Sequence, residues 1–339
     1  MMDTKQKIEM VLGSPESLSH LALSHDWIKP SQRIQELAIA GEGNMNKVFR
    51  ASIDQQTSLI FKQSLNCVAK YPEISAPIDR IVMEAAFYRT ISAHKELTKH
   101  TPKILGFDES QKILCMQDLG IGKDLTSFYQ DWNDADLNQL HQLLTWLGNL
   151  HDIRIDLDKH GHFKNSQMRQ LNHEHIFKIP FQNDSGIELG TGLRAVSTQF
   201  AKDSRLVEAA KELGELYLDE SGSKENSLLH GDFYPGSWLS VSQNHVYIID
   251  PEFCFLGPKE FDLGVLVAHL RMAKLDDDLI WSLINEYYSS QNIFSPALVH
   301  KFAGVEIIRR ILGVAQLPLK LSEKEQIEIL EEARRMLIS

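Results

Sequence analysis

A chain of 339 residues that is 43% hydrophobic and 24% charged has the composition of a globular protein with material for two hydrophobic cores, which argues against a disordered one. Its formal net charge of -11 is spread over scattered acids and bases, and this argues against nucleic-acid binding, which needs clustered cations. The cysteines Cys67, Cys115 and Cys254 are odd in number and far apart, so they frame neither a disulfide scaffold nor a Cys-x-x-Cys metal site; with no signal-like apolar segment and no run near ~18 apolar residues, a cytoplasmic protein that leaves membranes alone is expected.

Residues 1–30 read as one amphipathic helix or two, with Ile8, Val11 and Leu12 at helical spacing and Pro30 as a stop. Residues 31–65 change to two or three short strand-like runs. A glycine loop at 41–46 and a polar turn at 54–57 separate them, which reads as a small antiparallel sheet. Pro77 introduces a helix over 78–93, and strand material follows at 103–107 and 112–117. Residues 1–118 therefore form an N-terminal lobe, a sheet with one crossing helix. Residues 119–339 form a larger, mainly helical lobe, with helices expected over 135–151, 205–217, 261–273, 276–289, 296–316 and 323–337. Strands at 238–241 and 246–249 are the exceptions there, and the polar stretch 160–191 reads as loops with short helices. This is an α+β chain of two lobes, whose junction would offer a ligand cleft.

Several residues could carry chemistry. The loop GEGNMN lies between two strands, not between a strand and a helix, which argues against a dinucleotide-binding turn. A glycine loop between antiparallel strands either closes a hairpin or lies over ATP phosphates, because glycine lets backbone N–H groups approach oxygen closely. Gly41, Gly43, Asn44 and Asn46 are the candidates in it. Lys62 follows at the distance of one hairpin, and Glu84 on the next helix supplies the opposite charge that a phosphate-orienting lysine uses. Asp232, in His-Gly-Asp, is placed to take a proton from an attacking alcohol, with His230 organising its loop. Asp250 ends the run VYIID and Glu252 lies two residues on, so the two carboxylates can converge on a hard cation such as Mg2+. His173 and His175 flank Glu174, but an i, i+2 pair does not share a helix face and the HExxH spacing of zinc sites is missing.

HGDFYPGSW followed by IIDPEF resembles the catalytic and metal-binding loops of the aminoglycoside phosphotransferase and choline kinase superfamily, which has the bilobal protein-kinase-like fold. Ser237 where that superfamily usually has Asn, GPKEFDLG after DPEF, GEGNMNKVF, FKQSLNCVAKY and GVEIIRRILGVA narrow the likeness to methylthioribose kinases. The resemblance implies ATP and Mg2+ as cofactors, the 1-hydroxyl of 5-methylthioribose or a close analogue as acceptor, and Asp232 as base. It places Ser237 with Asp250 and Glu252 on the metal side, and Arg309 and Arg310 at the sugar and the transferred phosphoryl group. The adenine would be met through the backbone at Met116, Asp118 and Leu119, although Gln117 stands where the family tends to have Glu. Such relatives are often homodimers. An acceptor of the aminoglycoside or choline type, and a catalytically silent ATP-binding module, are the alternatives. Adjacent arginines on a helix point about 100° apart, so only one of Arg309 and Arg310 is expected to aim squarely at a pocket unless the helix ends or bends there.

Overall fold

The computed structural model describes residues 14–339 other than 42–44, 71, 131, 133–135, 156–160, 184–185, 221–225, 243–244 and 289–292. Ile8, Val11 and Leu12 of the N-terminal helical pattern, and Gly43 and Asn44 of the glycine loop, lie outside the described residues. The chain divides into two compact units, Met1–Ile121 and Gly122–Ser339.

In the first unit, α1 (Pro15–Ser24) starts at Ser14, whose hydroxyl accepts from the Ser17 amide at 3.1 Å. It ends well before Pro30. Asp26 adopts a left-handed φ of 57° and the Trp27 amide reaches back to the Ala22 carbonyl at 2.8 Å, a closure that terminates a helix without help from proline. The antiparallel sheet has the order β1 (Glu36–Ile39), β2 (Lys47–Ser52), β3 (Ser58–Gln63), β5 (Ile113–Gln117), β4 (Ile104–Asp108). Alternation along the strands gives it two faces. One packs Ala51, Leu59, Phe61 and Cys115 against Leu18 and Ala22 of α1 and against Ile28 and Ile34 after it. On β3, Lys62 alternates with Phe61 and so belongs to the opposite face, where α2 (Arg80–Ile91) supplies Glu84.

In the second unit, α3 (Leu137–His151), α4 (Ser166–His173), α5 (Thr191–Lys202), α6 (Ser204–Leu218), α7 (Glu260–Met272), α8 (Asp277–Tyr287), α9 (Pro296–Leu312) and α10 (Glu323–Ile338) supply the helices. The long helices expected from periodicity are present to within a few residues. Gly313 ends α9 short of residue 316. The stretch 160–191 holds α4, a π-helical turn at Glu174–Lys178 and a 3-10 turn at Ile179–Phe181. Helix α7 is buried from Phe261 to Leu270, and α9 from Phe302 to Leu312, so these two form the centre of the unit. At Gly264 a Cβ would sit 2.4 Å from that of Phe302, which shows how closely the pair packs. Among the described residues, no helix is long and apolar enough to cross a membrane.

Candidate active site

In the first unit, the Lys62 Nζ lies 3.0 and 2.8 Å from the two Glu84 carboxylate oxygens, with both side chains almost fully buried. Beside them, Arg80 is completely buried. Its guanidinium donates to the carbonyls of Met45, Leu65, Cys67 and Pro77 and to Asn46 Oδ1, the last at 3.0 Å. The Asn46 side chain thus belongs to the frame at the base of the glycine loop, while Gly41 has the left-handed φ of 75° that glycine tolerates best. Met116 is buried within β5, paired to Ile60 and Ile104. The Asp118 carboxylate takes hydrogen bonds from Arg50 Nε at 2.6 Å, Ser58 and the Gly120 amide. Burial raises its affinity for a proton, yet Arg50 and Ser58 outweigh this and hold it below the usual carboxylate range. That leaves Leu119 between Asp118 and the turn at Gly120, where φ is 95°.

In the second unit, the two charged loops are nested. The outer pair, β7 (Ser227–Leu229) with β10 (Phe255–Gly257), runs antiparallel, and inside it lies the hairpin of β8 (Trp238–Ser242) and β9 (His245–Ile248), with the short β6 (Lys123–Asp124) along β8. The loop 230–237 therefore leaves β7 for β8, and the loop 249–254 leaves β9 for β10. Gly231 has φ 84°, and a Cβ there would meet the Phe253 carbonyl oxygen at 2.1 Å, so only glycine lets the two loops touch. His230 ties them as well. Its Nε2 donates to the Ile249 carbonyl at 3.0 Å, which leaves Nδ1 as the acceptor facing the Asp232 amide at 3.4 Å. Burial lowers the His230 pKa and keeps the ring neutral in that role.

Both loops have further anchors. Asp262, at the start of α7 and fully buried, accepts from the His230 amide at 2.7 Å, the Gly231 amide at 3.0 Å and His151 Nε2 at 3.2 Å. The Ser237 hydroxyl donates to the Asp232 carbonyl at 3.1 Å, leaving only its lone pairs for a cation. On the other loop, Asn165 donates through Nδ2 to the carbonyls of Glu252 (3.2 Å) and Cys254 (2.9 Å). Asp250 is held at φ 63°, a left-handed conformation that a non-glycine residue adopts at some cost and that turns the chain sharply after β9. The fields of both Asp232 and Asp250 reach His230 and Tyr234.

The charges meet at Asp232. Arg310 donates from NH2 to Asp232 Oδ1 at 2.9 Å, and Arg309 NH1 stands 3.7 Å from the same oxygen. Glu306, on the same helix α9, bridges the pair from behind, with Arg310 Nε at 2.6 Å from Oε1 and Arg309 NH1 at 3.0 Å from Oε2. The expected divergence of adjacent arginines is overcome by reach: i+3 and i+4 from Glu306 fall on one face, and both long side chains bend to it. Burial alone would raise the Glu306 pKa, but Arg309, Arg310 and His269 outweigh it and hold the carboxyl well below the usual range. Arg310 also lies over the Tyr234 ring, 4.4 Å from its centroid. Among the described residues Asp232 Oδ2 accepts no hydrogen bond, so one carboxylate oxygen is fixed and the other is available.

Asp250 and Glu252 suit a hard divalent cation in their chemistry. Magnesium takes oxygen ligands and is usually held by one or two carboxylates, with phosphate oxygens and water completing its shell. Among the described residues no group of three or more His, Cys, Asp or Glu side chains is gathered for a metal.

Glu306, His269, His151 and Asn165 are parts of this arrangement that sequence reasoning missed, and Asp262, which the sequence offers only as part of the GPKEFDLG likeness, had no role there. For Glu306 a signal existed in its i, i+3 and i+4 spacing to two arginines. The others are brought in from distant parts of the chain.

The chain is 28% identical to a methylthioribose kinase of Geobacillus sp. (strain WCH70), across 81% of this chain and 77% of that one. It is 25% identical to one of Bacillus cereus (strain B4264), across 88% and 84%. In fold it matches spectinomycin phosphotransferase APH(9)-Ia, solved with ADP and spectinomycin, with a TM-score of 0.54 at 15% identity over 96% of this chain and 98% of that one. It also matches a choline/ethanolamine kinase family protein from Mesorhizobium loti, with a TM-score of 0.51 at 14% identity over 99% and 96%. The fold is therefore the bilobal protein-kinase-like one. Residues 36–287 match the model of the phosphotransferase enzyme family, and with most of its length inside that match the chain belongs to the phosphotransferase enzyme family.

Proposed function

We propose that this protein is an ATP-dependent kinase whose acceptor is the 1-hydroxyl of 5-methylthioribose or a close 5-substituted ribose. The observation that carries the reading is the division of labour on Asp232: Oδ1 is fixed by Arg310, while Oδ2 accepts no hydrogen bond among the described residues and would take the acceptor proton. Phosphoryl transfer asks little of a protein beyond positioning and charge stabilisation, and the residues present divide those tasks. Lys62, steadied by Glu84, would grip the ATP phosphates. Gly41 with Gly43, Asn44 and the Asn46 backbone would cover them, and the backbone at Met116, Asp118 and Leu119 would meet the adenine. Asp250 and Glu252, with Ser237 beside them, would hold a magnesium ion, which when bound neutralises charge on the phosphate oxygens. Arg309 and Arg310 would face the sugar hydroxyls and the transferred group, for which a guanidinium fork is suited. The likeness to the methylthioribose kinases supports the choice of sugar. A paired arginine beside the base favours an uncharged acceptor over a cationic one such as choline or an aminoglycoside.

The test is ATP turnover with a panel of methylthioribose, ribose, choline and an aminoglycoside. Methylthioribose should give turnover and, with a non-hydrolysable ATP analogue, a rise in melting temperature; turnover with choline or the aminoglycoside alone would replace the proposed acceptor. Asp232→Asn should lower turnover by about a thousandfold while ATP still binds, and near-normal turnover in that variant would remove Asp232 as base.

A further inference from the structure

Behind the arginine pair, away from Asp232, a row of buried polar groups has no part in the chemistry above. Glu306 is 1% exposed and His269 is 0% exposed. His269 Nε2 lies 3.2 Å from Glu306 Oε1, and Tyr129 OH lies 2.6 Å from His269 Nδ1. Donor and acceptor roles follow from the ends. The Glu306 carboxylate can only accept, so His269 carries its proton on Nε2; Nδ1 then offers a lone pair, and the Tyr129 hydroxyl donates to it. Each group so fixes the next: Tyr129 sets the tautomer, the tautomer aims a donor at Glu306, and Glu306 holds Arg310 Nε and Arg309 NH1. Tyr234 closes one face of the Arg310 guanidinium, so its remaining edge is left for Asp232.

A buried charged residue with two buried polar supporters is a poor way to stabilise a core, because apolar residues of similar volume avoid the desolvation cost. A polar row that ends on the one carboxylate placed to act as base has a different use. We infer that Tyr129, His269 and Glu306 are positioning residues that fix Arg310, and through it Asp232, in the orientation that presents Oδ2 to the acceptor. This rests on Asp232 being the base, as proposed above.

The test uses the full-length protein carrying Tyr129→Phe, which deletes one hydroxyl and keeps the ring. Acceptor kcat should fall about tenfold, the worth of one hydrogen bond in a charged network, with KM for ATP unchanged and the protein folded at the assay temperature. Glu306→Gln should lose about a hundredfold by the same measure; should that variant not fold, Tyr129→Phe decides. A second readout needs no acceptor: the Arg310 Nε–H signal in nitrogen-15 NMR should exchange slowly in the wild type and broaden in Tyr129→Phe. Unchanged kcat with an unchanged Nε–H signal overturns the inference, as does a fall in kcat accounted for by the unfolded fraction. A wild type that phosphorylates no ribose acceptor would instead overturn the functional reading, and the Nε–H signal would still decide the relay.

Discussion

Asp262→Asn removes one charge and almost no volume from the point where the loop bearing Asp232 is held. Three donors converge on the carboxylate, the amides of His230 and Gly231 and the ring of His151, at 2.7, 3.0 and 3.2 Å. Asparagine offers a single oxygen and replaces the other with an NH2 group that itself needs acceptors. At least one buried N–H is then left unmet, facing a second donor, in a position with no exposure. At about 1–3 kcal/mol for each unmet buried group, the expected loss is about 3 kcal/mol. For a unit the size of Gly122–Ser339 that corresponds to a fall in melting temperature of about 6–12 °C. Thermal unfolding by circular dichroism gives the shift, and kcat measured well below the transition gives the functional part, expected to fall about tenfold as the loop loosens. A melting temperature within about 2 °C of wild type together with unchanged kcat would refute the claim that Asp262 fixes this loop.

Glu84→Gln leaves the Lys62 ammonium in a buried setting without its carboxylate, so urea unfolding should show a loss of about 3–5 kcal/mol, largely recovered in Lys62→Met/Glu84→Leu; a loss below about 1 kcal/mol would show that the pair is not desolvated as described. His269 gives a pH dependence. Burial holds its imidazole down to about 4, whereas the unfolded chain protonates it near ~6.5, so between those values the unfolded state binds the extra proton. The stability contributed by neutral His269 is therefore whole above pH ~6.5 and drains as pH falls toward ~4, by up to about 3 kcal/mol. His269→Gln should show a shallower fall in melting temperature from neutral to acidic pH than the wild type; parallel curves would mean that His269 does not carry this dependence.

What could be read from the sequence was whatever is encoded locally. The hairpin of β8 and β9 shows as alternation, and His-Gly-Asp and Asp-Pro-Glu stand beside it as short motifs. Helix α5 was missed because glycines and polar residues at its start mask an apolar face of Leu193, Val196 and Phe200. Helix α1 ends short of Pro30, the stop that the sequence pattern predicts, because a left-handed residue at Asp26 already closes it. The anchors of the site were hidden for a different reason. Tyr129 and His269 are 140 residues apart, and Asn165 lies 87 before Glu252. Periodicity tells which face of an element is buried, but not which buried polar group another will meet. Only Glu306 with its arginines was within local reach.

Arg80 has a consequence for where the chain tolerates change. One guanidinium bonds to segments at 45–46, 65–67 and 77, so these stretches share a single fastener although they are far apart in sequence. Between the first two runs the β2–β3 hairpin, whose tip at Asp54 to Thr57 is exposed and closed by its own hydrogen bonds. Extra residues at that tip extend into solvent and leave the fastener alone. A single residue added between 65 and 77 shifts the carbonyls that Arg80 must meet together, so the same change in length is harmless at one point and disruptive a few residues on.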